Sequence, residues 1–177
     1  MRERVITLTI AAAAIIAVAC GKSDSGKTSP TNNTPATSNL VNFRAQMNGA
    51  SEIPVNTSTG TGLFTATLDT VTNVFTYDII FSGLSAGVSN GHIHGPASTT
   101  QNAGTTVNFN TLAGATFSFG LPAGGGHGQL TLNASTQVTA TVNGDSLRKL
   151  LFAGLTYANI HTTAIPGGEI RGQILRQ

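Results

Sequence analysis

The 177-residue sequence contains no tryptophan, a single cysteine and only 9% charged residues. A lone cysteine cannot form an intramolecular disulfide, so the fold has no disulfide framework. Aromatic residues make up 6% of the chain, too few to suggest a stacking groove for sugars or bases. Seven basic and six acidic residues follow residue 19, and this near-neutral, scattered charge excludes the basic surface typical of nucleic-acid binding.

The first nineteen residues form a separate segment. Arg2 and Arg4 precede an uncharged apolar run at 5–19, which is shorter than the roughly 20 residues that span a membrane and ends on small residues like a signal peptide. Residues 17–21 (AVACG) resemble the lipobox of bacterial lipoproteins. The sequence therefore predicts a lipoprotein signal peptide at 1–19, lipidation of Cys20 and a location in the cell envelope. Gly21 after the cysteine favours the outer membrane or the extracellular face.

Residues 20–39 have no strong apolar pattern and contain Pro30 and Pro35 among Ser, Thr and Asn. Such a segment cannot bury enough surface to offset its ordering entropy, so we expect a flexible tether. Residues 21–28 (GKSDSGKT) fit the phosphate-loop pattern in full. That pattern binds phosphate only between a buried strand and a helix, so no nucleotide binding is predicted.

From residue 40 onward apolar residues alternate with polar ones, as in strands that bury one face. The composition agrees, because 21 glycines with many threonines and asparagines are typical of a turn-rich β domain. Eight to ten short strands predict an all-β domain at 40–177, an antiparallel β-sandwich of the immunoglobulin-like or superoxide-dismutase-like kind. The predicted strands are 41–47, 64–68, 75–81, 92–94, 105–109, 115–119, 129–132, 137–142, 155–162 and 169–175.

One short helix is predicted at 147–152. Residues 143–146 (NGDS) supply its N-cap, and Gly154 ends it. Further turns are predicted at 69–73 and around Pro166, where Pro followed by Gly suits a type II turn.

Four segments in the right order resemble the CHRD domain, named after chordin and found in bacterial secreted proteins. They are residues 43–55 (FRAQMNGASEIPV), 91–95 (GHIHG), 157–162 (YANIHT) and 168–174 (GEIRGQI). The resemblance implies an extracytoplasmic β-sandwich-like module. It implies little about chemistry, because the family has no agreed enzymatic activity and a fold alone does not define a function.

Histidines are the residues best suited to chemistry. His92 and His94 are two apart on a predicted strand and therefore point to one face. If the strand of His161 lies beside theirs, three imidazoles converge in a set that suits zinc or copper. The His-x-His pair also resembles that of copper–zinc superoxide dismutases, but no further histidine cluster follows it, so a dual-metal catalytic site is not predicted. His127 lies in a glycine-rich segment and is interpreted as part of a mobile loop.

Two interpretations of these histidines remain open. In the first, His161 joins Glu169 and Arg171 in a structural polar network, Glu52 is structural too, and the domain is a non-catalytic module for a protein or matrix partner. In the second, His92, His94 and His161 bind copper or zinc, with a possible redox role. No enzyme motif is complete: the S-x-x-K pattern at 146–149 lacks its usual partner motifs.

Overall fold

The computed structural model describes residues 39–177. The predicted signal peptide, Cys20 and nearly all of the predicted tether lie outside these residues, so those assignments remain predictions. Within the described part of the chain, no helix has the length and apolar character needed to cross a membrane.

The described residues form nine strands, one α-helix and one 3₁₀ turn. The 3₁₀ turn at Gly49–Ser51 follows the first strand directly. In chain order the main elements are β1 (Leu40–Asn48), β2 (Thr61–Asp69), β3 (Val74–Ser82), β4 (Val88–His94), β5 (Thr105–Asn108), β6 (Thr116–Phe117), β7 (Gly124–Thr131), α1 (Gly144–Phe152), β8 (Thr156–Thr162) and β9 (Ile170–Arg176).

All nine strands belong to one antiparallel sheet, ordered β5-β4-β8-β9-β1-β2-β3-β7-β6. The sheet curls until its two ends meet. Val88 at the start of β4 accepts a main-chain hydrogen bond from Gly120 at 2.9 Å and donates one to Leu121 at 3.1 Å. The predicted all-β antiparallel class is confirmed, and one continuous sheet supplies both layers around the interior.

The core lies inside this curled sheet, because the strands turn one row of apolar side chains inward. Rings from distant strands meet there: Phe109, just after β5, lies 5.0 Å from Tyr77 of β3 and 6.2 Å from Phe64 of β2, between ring centroids. Phe109 also lies 5.5 Å from Phe117 of β6. The aromatic residues thus join the two ends of the sheet, and such pairs add to the stability gained from area burial.

The helix and the first turn follow the sequence prediction. Asn143 caps α1 by accepting a hydrogen bond from the Ser146 amide at 2.9 Å, and Gly154 follows the helix at a φ of 66°, where glycine is favoured. Asp69 accepts a hydrogen bond from the Val71 amide at 2.8 Å in the turn between β2 and β3. Leu147 and Leu151 anchor the helix in the core, and both are fully buried.

Three local predictions are wrong. The turn at Pro166 closes with a hydrogen bond from the Gly168 amide to the Ile165 carbonyl at 3.2 Å, but it is not type II, because the positive φ falls on Gly168 and not on Gly167. Residues 137–142 form no strand; a single bridge joins Gln137 to Asn143, and the Val138 amide bonds to the Val142 carbonyl at 2.9 Å to close a turn. His127 does not mark a mobile loop, because it lies in β7 and its Nδ1 is 2.8 Å from Asp78 Oδ1 on β3.

Candidate metal centre

The outward faces of β4, β8 and β9 carry a set of polar side chains that we call the polar layer: His92, His94, Tyr157, Asn159, His161, Arg171 and Gln173. Alternation explains their placement, since the intervening Ile93, Ala158 and Ile160 are fully buried in the core. The connections at 49–60 and 95–104 lie over this face. Asn102 Nδ2 joins the two connections by donating to the Ile53 carbonyl at 2.8 Å.

Strand pairing brings the three histidines together. In the antiparallel register, His94 lies opposite Tyr157 and His92 lies opposite Asn159. His161 is therefore a diagonal neighbour of His92, within reach of a long side chain. The ring centroids lie 4.9 Å apart for His92 and His161 and 5.1 Å apart for His92 and His94, and one nitrogen from each ring lies within 4.8 Å of the other two.

Hydrogen bonds to carbonyl groups define the tautomers. His94 Nδ1 lies 3.0 Å from the Ala103 carbonyl oxygen, and His161 Nδ1 lies 2.9 Å from that of Pro166. A carbonyl oxygen only accepts, so both Nδ1 atoms carry the proton and both Nε2 atoms carry a lone pair. His92 Nδ1 then donates to His161 Nε2 at 3.0 Å. His94 Nε2 is buried and has no hydrogen-bond partner among the described residues.

All three imidazoles are neutral at neutral pH. Burial, with smaller contributions from His161 and His94, lowers the pKa of His92 to about 4. Burial also lowers the pKa of His94 to about 4, against the opposing effect of its bond to Ala103. The pKa of His161 is lowered by burial too. Three deprotonated imidazoles are the form in which histidine binds metals.

Stacked rings hold His94 in place. The imidazole of His94 lies on the ring of Tyr157, with centroids 4.8 Å apart and planes 9° apart. The guanidinium carbon of Arg171 lies 3.5 Å from the centroid of the same tyrosine ring. Arg171 is 1% exposed, and it donates to the carbonyls of Ser98 and Gln101 at 3.0 and 2.8 Å. It also donates to Asn102 Oδ1 at 2.9 Å, so this one side chain holds the 95–104 connection.

A buried carboxyl group lies next to the histidines. Glu52, in the 49–60 connection, is 6% exposed and accepts a hydrogen bond from Asn159 Nδ2 at 2.5 Å. Burial raises the pKa of Glu52 to about 7, although Asn159 and the charge of Arg171 act in the opposite direction. At neutral pH this carboxyl is therefore partly protonated.

Glu169 occupies a different environment. Its carboxylate is fully buried and accepts hydrogen bonds from Ser58 Oγ at 2.7 Å, the Ser85 amide at 2.6 Å, Ser85 Oγ at 2.8 Å and Thr162 Oγ1 at 2.5 Å. Burial acts to raise the pKa of Glu169, but the donors from Thr162, Ser58 and Ser85 outweigh it, so the pKa lies below its ordinary value. The carboxylate ties the 49–60 connection to the β3–β4 connection and to the end of β8.

The predicted site residues thus fall into two groups. His92, His94 and His161 meet, whereas Glu169 and Arg171 bond to separate sets of partners and neither bonds to His161. Sequence reasoning did not identify the carbonyl groups of Ala103 and Pro166, which lie in connections without a repeating pattern. Among the residues around the histidines, only Tyr157 could have been found from the sequence. It is four residues before His161 on one strand, so both side chains lie on the same face.

A curled antiparallel sheet with a covered polar face and three converging imidazoles defines residues 39–177 as an all-β module with one candidate ion-binding centre. The family model described as the CHRD domain matches residues 43–174. The chain belongs to this family, as its motifs indicated. No curated protein and no solved structure matches the chain.

Proposed function

We propose that this chain is a membrane-anchored, extracytoplasmic lipoprotein whose CHRD domain is a non-catalytic module, and that the module binds one zinc or copper ion through His92, His94 and His161. The observation that carries the metal proposal is the buried Nε2 of His94. A buried polar atom without a partner costs about 1–3 kcal/mol, and a metal ion beside two other imidazoles would satisfy it.

The surroundings of the rings support this proposal. Metal-binding histidines usually donate their second nitrogen to a carbonyl or carboxylate, which fixes the ring and raises its basicity. Ala103 and Pro166 fill this role for His94 and His161. In a tetrahedral site with metal–nitrogen distances of 2.0–2.1 Å, ligand nitrogens lie roughly 3.3 Å apart. The His92–His161 nitrogen distance is 3.0 Å, whereas the three ligand nitrogens as a set lie within 4.8 Å of one another. The wider pairs would therefore have to close by up to about 1.5 Å around an ion.

Metal binding would require one change of tautomer. The proton on His92 Nδ1 forms the hydrogen bond to His161, so it must leave Nδ1 or the ring must turn before His92 ligates an ion. Three neutral ligands would leave the fourth position of a tetrahedral ion open to water or an exogenous ligand. The site would carry the positive charge of the ion with no ligating carboxylate.

A structural role is the competing interpretation. The hydrogen bond between His92 and His161, together with the Tyr157 stack, joins β4 to β8 without any ion. The two interpretations differ in one measurable respect, because a purely structural cluster has no need for a free lone pair on His94 and would not bind an ion stoichiometrically. A protein or matrix partner for the module remains a separate prediction.

Calorimetric titration of Zn²⁺ and Cu²⁺ tests the metal proposal, using residues 20–177 with Cys20→Ser to remove the thiol. We expect one ion per chain with submicromolar affinity, and loss of binding in His92→Ala/His94→Ala. His127→Ala is the matched control, because it removes the fourth histidine from β7 and leaves the cluster intact. Absence of binding, or binding that survives the double substitution, would contradict the proposal and leave the histidines with a structural role.

The anchor needs its own test, since it rests on the lipobox-like residues 17–21 alone. We expect the mature protein to carry acyl chains on Cys20, visible by intact mass, and to partition into detergent. Cys20→Ser should abolish both. An unmodified Cys20 in a secreted chain would refute the anchor without affecting the metal proposal.

A further inference from the structure

The exposed cations of the described domain are unevenly distributed. Residues 39–177 contain five basic side chains, and Arg171 is buried. The other four lie on adjacent elements: Arg148 and Lys149 on α1, Arg176 at the end of β9, and Arg44 on β1, directly opposite Leu175 of β9. Arg148, Lys149 and Arg176 meet at one corner beside Phe152. Arg44 lines a separate cavity together with Asp78.

Exposed apolar side chains share this corner. Phe152 at the end of α1 is 38% exposed, Leu155 37% and Leu175 51%. The guanidinium carbons of Arg148 and Arg176 lie 5.8 and 5.7 Å from the centroid of the Phe152 ring. We call Arg148, Lys149, Phe152, Leu175 and Arg176 the basic–apolar patch.

Among the residues that the structure describes, the cations of the patch have no carboxylate partner at salt-bridge distance. Within the described part of the chain, the one contact at salt-bridge distance joins His127 to Asp78, on β7 and β3. Arg148 donates to the neutral Asn73 side chain at 2.9 Å. Asp145 is the single acidic residue that lines the cavity of about 410 Å³ beside Arg148, Lys149 and Phe152. Two guanidinium groups beside one ring repel each other, and an external anionic surface would relieve that repulsion.

The patch also lies where the chain enters the domain. β1 begins at Leu40, and Phe43, three residues later, packs edge-on against Phe152 with centroids 5.8 Å apart. Leu40 is twenty residues beyond Cys20 in the sequence. If the predicted tether is a flexible coil, its typical end-to-end distance is about 25 Å, and the proposed lipid at Cys20 would then hold the domain within that distance of a bilayer.

From this juxtaposition we infer that the basic–apolar patch docks on an anionic phospholipid surface, with the cations at the headgroups and the apolar side chains at the interface. The inference rests on the proposed membrane anchor. Cations bordering aromatic and aliphatic groups are the composition of interfacial binding sites. Because the anchor supplies a high effective concentration, the patch needs only weak intrinsic affinity to orient the domain. Docking would then fix the orientation of the polar layer relative to the membrane.

Partitioning into vesicles tests the inference independently of lipidation. The probe is residues 20–177 with Cys20→Ser, mixed with vesicles of phosphatidylcholine alone or with an equal part of phosphatidylglycerol. We expect binding only with phosphatidylglycerol. Arg148→Gln/Lys149→Gln should weaken it roughly 30-fold, since each basic side chain near an anionic surface contributes about fivefold. Lys149→Gln/Arg176→Gln provides a second pair in case the loss of the Asn73 contact disturbs the fold, and Leu175→Gln should weaken binding severalfold.

Lys22→Gln/Lys27→Gln is the matched control, because it removes the same charge from the segment before the domain. A loss under fivefold in this control, beside the roughly 30-fold loss in the patch variants, supports the inference. Equal losses in both, no preference for phosphatidylglycerol, or equally tight binding to a short DNA duplex would overturn it. These outcomes do not depend on acylation of Cys20, so failure of the anchor and failure of the patch are distinguishable.

Discussion

Two buried glutamates in one domain should respond in opposite ways to the same substitution. Glu169 accepts four hydrogen bonds that hold its pKa low, whereas burial raises the pKa of Glu52 to about 7 despite its hydrogen bond from Asn159. Replacing either by glutamine removes the charge and keeps the shape. The structure predicts that Glu169→Gln destabilises the domain and that Glu52→Gln stabilises it at alkaline pH.

The magnitude for Glu169 follows from its donors. A glutamine amide can take the place of Oε2, where its partners are the hydroxyls of Ser85 and Thr162, which can rotate to accept. Oε1 keeps its bonds from Ser58 and the Ser85 amide. No donor is orphaned, but four charge-assisted bonds become neutral ones. Hydrogen bonds to charged groups contribute about 1.5–3 kcal/mol against about 1 for neutral ones, so with relief of charge burial we expect a loss of about 2 kcal/mol.

The magnitude for Glu52 follows from linkage. A pKa raised from 4.5 to about 7 corresponds to at most about 3 kcal/mol of unfolding free energy. The cavity of about 530 Å³ beside Glu52 admits water and reduces this cost, so we expect Glu52→Gln to be more stable than the wild type by about 1–2 kcal/mol at pH 8. The stabilising contribution of protonated Glu52 to the folded state is fully present below pH 4.5 and is lost as pH rises through about 7. Near pH 4 the variant and the wild type should therefore match.

Glu169 has the opposite pH dependence, because its pKa is lowered. Its contribution is present above the ordinary glutamate pKa and is lost as pH falls through the lowered value. The deficit of Glu169→Gln should persist at pH 8 and shrink only in stronger acid. Urea unfolding followed by far-ultraviolet circular dichroism measures both. If Glu169→Gln were neutral at pH 8 and Glu52→Gln destabilising there, the assignment of charge states would be refuted.

Three further outcomes follow from the structure. Zinc at about 100 times its Kd should stabilise the wild type by about 2.7 kcal/mol and raise Tm by about 10 °C; an equal rise in His92→Ala by scanning calorimetry would contradict the metal proposal. Gly91→Ala should lower the free energy of unfolding in urea by about 2–3 kcal/mol, because its new methyl would lie 2.5 Å from Phe117 Cζ. Gly104→Ala is the control, since a methyl there meets nothing within 4 Å. Equal stability of the two variants would contradict this prediction. Arg171→Met should lower the free energy of unfolding by about 3 kcal/mol, because two carbonyls and Asn102 lose their donor. It should also speed amide hydrogen exchange in the 95–104 connection. Unchanged exchange would show that Arg171 does not hold this connection.

Sequence periodicity was informative where strands have one buried face. Alternation located β1, β2 and β3 and placed His92 and His94 on one side, since this depends only on the geometry of a single strand. It failed at 137–142, where alternating residues have no neighbouring strand to pair with. In β7 it located only the last three residues, because the glycines at 124–126 and 128 have no side chains to show a period. Gly128 lies where the Tyr77 ring leaves no room for a side chain.

The site was predictable only in part for a related reason. Convergence of His161 with His92 depends on β4 and β8 being neighbours, and nearly seventy residues separate the two histidines along the chain. The high pKa of Glu52 and the partners of Glu169 depend on how the 49–60 connection folds over the sheet. That connection has no repeating pattern from which its course could be derived.

The closure of the sheet at Val88 has a consequence for how this domain can meet other molecules. A strand with unpaired main-chain groups invites an incoming peptide or a second copy to extend the sheet. Here the terminal strands β5 and β6 have four and two residues, and the connection after β6 is already bonded to β4. Little main chain is left as a template for strand addition. Association with other molecules would therefore depend on side-chain surfaces, and the fold itself guards against edge-to-edge aggregation.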